Sequence, residues 1–193
     1  MFEKLSLLFK ISRANGIARR YFIVNGFDGA LTMLGLIMGF SVSEHVNMPV
    51  VVNACLGAAI ALGMSGLTSA YISEAAEKKK ELRQLEEAMV KDLVDSTYGQ
   101  ATRLLPFVIA LINGLAPLII SLIIILPLWA TSLALLIPLA PLETALLMAL
   151  VMLFLLGIFL GRISDTFWLW AGLRTLLIAA ATAGLIFLLS PHT

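Results

Sequence analysis

The sequence predicts an all-α integral membrane protein with five transmembrane helices and a short cytosolic helical segment between helices two and three. Three observations predict this. First, 60% of the 193 residues are hydrophobic and only 13% are charged, with a mean hydropathy of +1.00. Soluble domains sit nearer half apolar and a quarter charged. A core of this size could not bury the excess, so lipid must cover part of it. Second, five apolar runs, approximately 21–42, 49–73, 104–129, 143–161 and 166–189, each approach or exceed the roughly 20 residues that a spanning helix needs. Third, the positive charges are segregated. Five Lys/Arg residues precede the first run and six lie between the second and third. The loops at 43–48 and 130–142 and the tail after 189 hold none. Lys and Arg are retained on the cytoplasmic side, so the N-terminus is expected in the cytosol and the C-terminus on the far side.

The elements follow in order. Residues 1–20 form an expected N-terminal interfacial helix, basic and amphipathic, with Phe2, Leu5, Leu8 and Phe9 set against Lys4, Lys10 and Arg13. Residues 21–73 make transmembrane helices one and two. The first follows Arg19 and Arg20, is too long for a signal-peptide core and lacks a cleavage site, so it is expected to be retained. Residues 74–103 form the cytosolic segment, where Leu82, Leu85, Met89 and Leu93 recur at helical spacing among mixed charges. Helix two is expected to continue into it, with room for a short returning helix and a break near Gly99. Pairs at i,i+4 are expected between Glu74 and Lys78 and between Glu87 and Lys91. Residues 104–190 supply helices three to five. Pro106, Pro117 and Pro127 should bend the third or free backbone carbonyls inside the bundle. Gly35/Gly39, Gly157/Gly161, Ala179/Ala183 and Ala180/Gly184 allow close helix contact, within the chain or in a homodimer.

Catalytic and cofactor chemistry finds little support. Cys55 is the single cysteine, His45 and His192 are the only histidines, and no HExxH, GxSxG or phosphate-binding glycine loop is present. Neither an enzyme, a bound cofactor nor a nucleic-acid partner is expected. The informative residue is Asp28, an acid about two turns into the first span. A central aspartate costs about 2.5–3.5 kcal/mol to insert, so such a residue normally faces a cavity and serves an ion or a proton. Asn25 and Thr32, at i−3 and i+4, share its face. Its other reading is structural, hydrogen-bonded to a neighbouring helix or paired with Arg174. Glu74, at the membrane edge, is followed by Glu77 and Glu81 at i+3 and i+7, so three carboxylates could converge on a divalent cation, or else form a solvated face. Met64 lies with Thr68 and Tyr71 on one face of helix two and offers a soft sulfur, although methionine in such helices commonly serves packing. The candidate metal ligands are therefore Asp28, Glu74, Glu77, Glu81, Asn25 and Met64.

The stretch Arg20-Tyr21-Phe22-Ile23-Val24-Asn25-Gly26-Phe27-Asp28-Gly29-Ala30-Leu31-Thr32 resembles the first helix of the vacuolar iron transporter family. The run from Ser65 to Glu74 resembles the end of its second helix, and Gly172-Leu173-Arg174 with the alanine-rich stretch to Gly184 resembles its last. Relative to that family the cytosolic segment is short, and Ala70 stands where its second helix carries a methionine. The resemblance implies a dimeric exporter of ferrous iron or manganese working against protons, with the intramembrane aspartate as a pathway ligand and the cytosolic glutamates collecting metal. The expected function is thus divalent metal export by proton antiport, the metal being substrate rather than cofactor. The alternative is a non-transporting membrane scaffold or subunit with a structural Asp28.

Overall fold

A computed structural model describes residues 14–43, 46–129 and 139–190, with side chains from residue 16 onward. The chain is an all-α membrane protein. Among the described residues, five helices, each long and apolar enough to cross a bilayer, follow one another: α1 (Ala14–Ser41), α2 (Met48–Met89), α3 (Thr97–Trp129), α4 (Pro141–Ile163) and α5 (Trp168–Leu189). Most of the expected interfacial helix, residues 1–13, lies outside the described residues. From Ala14 the chain is already helical and runs unbroken into the first span.

The 42 residues of α2 would extend about 63 Å, twice the hydrocarbon thickness of roughly 30 Å. Its uncharged part ends at Glu74, and the rest projects beyond the membrane as one continuous helix. Val90, at φ 50°, closes it with its N–H donated to the Glu86 carbonyl. No separate returning helix forms. After a short turn, α3 begins at Thr97, seven residues before its apolar run, and packs back along α2. Gly99 does not break a helix. It lies in the first turn of α3, so close to the Leu93 and Val94 carbonyls that a Cβ there would collide with them.

The expected i,i+4 pairs are replaced by others. Lys78 bonds Glu81 at 2.6 Å, and Arg83 bonds Glu87 at 3.1 Å. Glu74 accepts the Tyr21 hydroxyl instead. Lys91 falls beyond the left-handed residue that ends α2, outside helical register with Glu87.

Helix α3 is the centre of the bundle. It packs against α2, α1 and α4 and is the most buried of the five, whereas α5, held mainly by α4, is the least. The apolar core gathers Met33, Leu34 and Ile37 of α1 with Val51 and Cys55 of α2, Ile124 and Ile125 of α3 and Ala149 and Leu153 of α4. It fills the end of the bundle remote from Glu74. All three prolines lie inside an unbroken α3. Each removes an N–H and so strips the carbonyl four residues earlier, at Thr102, Asn113 and Ile123, of its helical donor.

Glycine sets the closest approaches. A Cβ on Gly29 would lie 2.8 Å from the Pro117 Cα and carbonyl oxygen, so α1 and α3 touch backbone to backbone. Gly114 abuts Gly63 and Leu67 in the same manner, joining α3 to α2. Gly157 and Gly161 seat α5 through Thr175 and Ala171. Gly35 and Gly39 behave differently: Gly35 meets only the tip of Ile186, at 3.7 Å, and Gly39 meets nothing within 4 Å. That pair is only lightly packed among the described residues.

Candidate functional site

Helix α1 has two contrasting sides. Ile23, Gly26, Ala30, Met33, Leu34 and Ile37 are buried. At 3.6 residues per turn these positions form one face, and Asp28 falls opposite them. Tyr21, Asn25, Asp28 and Thr32 follow one another at i, i+4, i+7 and i+11, and Gly35 and Gly39 extend the same strip. The strip is only partly covered, and Asp28 is exposed. Among the described residues its carboxylate has no hydrogen bond or ion pair, and Arg174, exposed on α5, does not pair with it. Backbone contact at the next residue, Gly29, fixes where the carboxylate emerges.

The neighbouring polar residues are tied down. Asn25 donates through Nδ2 both to the Tyr21 carbonyl, at 3.0 Å, and to Oδ1 of Asn113. Asn113 is 3% exposed, and its own Nδ2 donates to the Gly66 carbonyl at 2.6 Å. One asparagine pair therefore joins α1, α3 and α2. Gly66 permits it, since the Asn113 carbonyl oxygen lies 3.1 Å from where its Cβ would be. Ser121, one turn beyond Pro117, is fully buried, and its hydroxyl has no hydrogen-bond partner among the described residues.

At the end of the strip, the Tyr21 hydroxyl donates to Oε1 of Glu74 at 3.0 Å. Glu74 is 5% exposed although it opens the charged part of α2. Burial there keeps the carboxylate out of free solution and aims it at α1. One turn further, Lys78 is buried against Glu81, whose Oε2 also accepts the Tyr98 hydroxyl at 3.4 Å. Burial of the Lys78 ammonium acts to lower its pKa, but the hydrogen bond and charge of Glu81 outweigh this, and the net shift is upward. Tyr98 is raised by burial and by the Glu81 charge.

The six ligand candidates thus separate. Asp28 and Asn25 share the open strip, with Glu74 joined to its end through Tyr21. Glu77 is exposed, and Glu81 is engaged by Lys78. The three glutamates do not act as one cluster: among the described residues no group of three His, Cys, Asp or Glu comes together to hold a metal. Met64 is 58% exposed on α2, away from the core. Sequence reasoning missed the roles of Tyr21 and Asn113. A lone asparagine in the long apolar run of α3 was the available signal, because an unsatisfied amide in hydrocarbon must find a partner.

No family model and no solved structure matches the chain. An uncharacterized protein of Methanocaldococcus jannaschii is 30% identical over 183 residues, which cover 93% of this chain and 92% of the relative.

Proposed function

We propose a function for this chain, which belongs to the same family as that archaeal protein: it carries a divalent metal ion, Fe2+ or Mn2+, out of the cytosol in exchange for protons. The observation that carries this reading is Asp28, an exposed acid inside a membrane-spanning helix with no partner among the described residues. Facing lipid, it would cost about 2.5–3.5 kcal/mol. A proton, a cation or a hydrated cavity removes that cost. A carboxylate must release its proton to bind a metal, so the two ions compete for one group, and that competition is the coupling.

The remaining residues fall into roles around it. Glu74, buried and held by Tyr21, receives the metal at the cytosolic end of the strip. Asn25 and Thr32 offer neutral oxygens on either side of Asp28, and the exposed Glu77 raises the local cation concentration. A homodimer completes the pathway: the lightly packed Gly35/Gly39 pair lets a second copy approach the strip, and two strips face to face enclose a polar passage. The N-terminus lies in the cytosol and the C-terminus outside it, as the distribution of Lys and Arg supports. The resemblance of the first helix to that of the vacuolar iron transporters points the same way. The scaffold alternative needs a partner for Asp28, and among the described residues of a single chain there is none.

The test is ion flux. Purified protein in vesicles with an imposed pH gradient should take up Fe2+ or Mn2+, with counter-movement of protons, above empty vesicles. Absence of both fluxes in folded, correctly inserted protein would overturn the proposal.

A further inference from the structure

On the outer surface of the α2–α3 hairpin, away from the α1 strip, two hollows lie end to end. The first is a cleft of about 380 Å³ lined by Tyr71, Ala75, Lys79, Leu82, Thr102, Arg103 and Pro106. The second, of about 350 Å³, is lined by Leu67, Tyr71, Phe107, Ala110 and Leu111. Tyr71 belongs to both, so they form one groove. Its course is set by the sequence: Leu67, Tyr71, Ala75 and Lys79 recur every fourth residue along α2, and α3 runs back beside them from Leu111 to Arg103.

The groove changes character where the helices leave the membrane. The uncharged part of α2 ends at Glu74, and that of α3 begins after Arg103. The hollow on the membrane side is apolar and aromatic. The other contains two cations and no acid. Among the described residues, neither Lys79 nor Arg103 forms an ion pair, while the adjacent Lys78 and Arg83 both do. The Thr102 carbonyl at this site is also without its helical donor, because Pro106 lacks an N–H. Two free cations at headgroup level, above an apolar channel directed into the bilayer, are complementary to one kind of occupant.

We propose that this groove binds an anionic phospholipid. The phosphate lies between Lys79 and Arg103, Tyr71 sits at the level of the glycerol, and one acyl chain follows Leu67, Phe107 and Leu111 into the membrane. Arg103 supplies a forked donor set suited to phosphate oxygens, and Lys79 adds a point charge. The site is separate from the proposed ion strip on α1.

Native mass spectrometry of the intact protein in detergent tests this, using phosphatidylglycerol and phosphatidylcholine of identical acyl chains. Each cation near such a surface contributes enough that the pair should favour phosphatidylglycerol roughly 30-fold. Lys79→Gln with Arg103→Gln should abolish the preference. Lys80→Gln with Lys91→Gln removes the same charge from exposed positions outside the groove and should leave it intact. Leu111→Trp, filling the apolar channel, should weaken retention while both cations remain. Inorganic phosphate at 10 mM should not displace the lipid. Equal retention of the two lipids, or equal loss in both double variants, would overturn the proposal. So would displacement by phosphate alone, or a groove variant that changes only the oligomeric state, which would mark the groove as a contact for a second copy.

Discussion

Gly29→Ala adds a single methyl group at a point where α1 and α3 meet backbone to backbone. The new Cβ would lie 2.8 Å from both the Cα and the carbonyl oxygen of Pro117. Carbon contacts are comfortable at about 3.5–4.0 Å, so the helices must separate by about an ångström or shift along each other. Neither neighbouring atom can yield by rotamer change, because both are backbone. Overpacking of this kind costs about 1–3 kcal/mol. The damage should spread, since Asn25 lies one turn away and its bond to Asn113 needs the same close approach. Gly16→Ala is the internal control: same helix, same chemistry, nothing within 4 Å. It should be neutral or slightly stabilising, as alanine favours a helix over glycine. Thermal unfolding in detergent, read as the monodisperse fraction surviving heating, should fall by several degrees for Gly29→Ala and stay level for Gly16→Ala. Equal behaviour of the two variants would refute the claim that α1 is seated on α3 at this point.

Three further predictions concern other parts of the molecule. Asn113→Leu keeps the branched heavy-atom skeleton but removes the bonds to Asn25 and Gly66; with intramembrane bonds worth about 0.6 kcal/mol each and at most about 1.7, a loss of about 1–2 kcal/mol is expected in the same assay, and no loss would show that the network is idle. Glu81→Gln leaves the Lys78 ammonium, 10% exposed along its side chain, without its carboxylate. Because Glu81 itself is 38% exposed, the cost should be about 1–2 kcal/mol, below that of a fully buried pair. Since Lys78 is shifted upward, the wild-type pair should contribute fully at neutral pH and fade only as pH rises through the raised lysine value; a wild-type contribution already lost at neutral pH would contradict this. For orientation, cysteine at Asn47 should react with an impermeant reagent from outside and cysteine at Gln84 only after permeabilisation. Native Cys55 is buried and should stay silent, and the reverse pattern would invert the topology.

The fold was legible because bilayer thickness writes itself into the sequence as run length, and each of the five apolar runs became a helix. The charged extension of α2 was legible too, from Leu82, Leu85 and Met89 at helical spacing. Its return path was not, since whether Gly99 breaks a helix or sits in a crowded first turn depends on where Leu93 and Val94 fall in space. The same limit applies to ion pairs: Lys78 had carboxylates at i−4 and i+3, and only the Tyr21 hydroxyl, 53 positions from Glu74 in sequence, removed one of them. At the candidate site, the spacing of Asn25, Asp28 and Thr32 identified the strip. Periodicity alone could not say which side of α1 the bundle would bury. That was decided by Gly26 and Gly29 fitting against Leu156 and Pro117. Three glutamates at i, i+3 and i+7 read as a cluster on paper, but Tyr21 and Lys78 drew two of them to different partners.

Asp28→Asn is the substitution on which the account turns, because it preserves size and hydrogen-bonding capacity while removing the charge and the exchangeable proton. Asp28 makes no hydrogen bond or ion pair among the described residues, so folding should be unaffected. Wild-type and variant protein are compared in vesicles holding a metal-sensitive dye and a pH indicator, with elution profile and thermal stability checked to match. Metal uptake and metal-driven proton movement should fall together in the variant to the level of empty vesicles. Full metal transport by Asp28→Asn at unchanged proton stoichiometry would contradict the account.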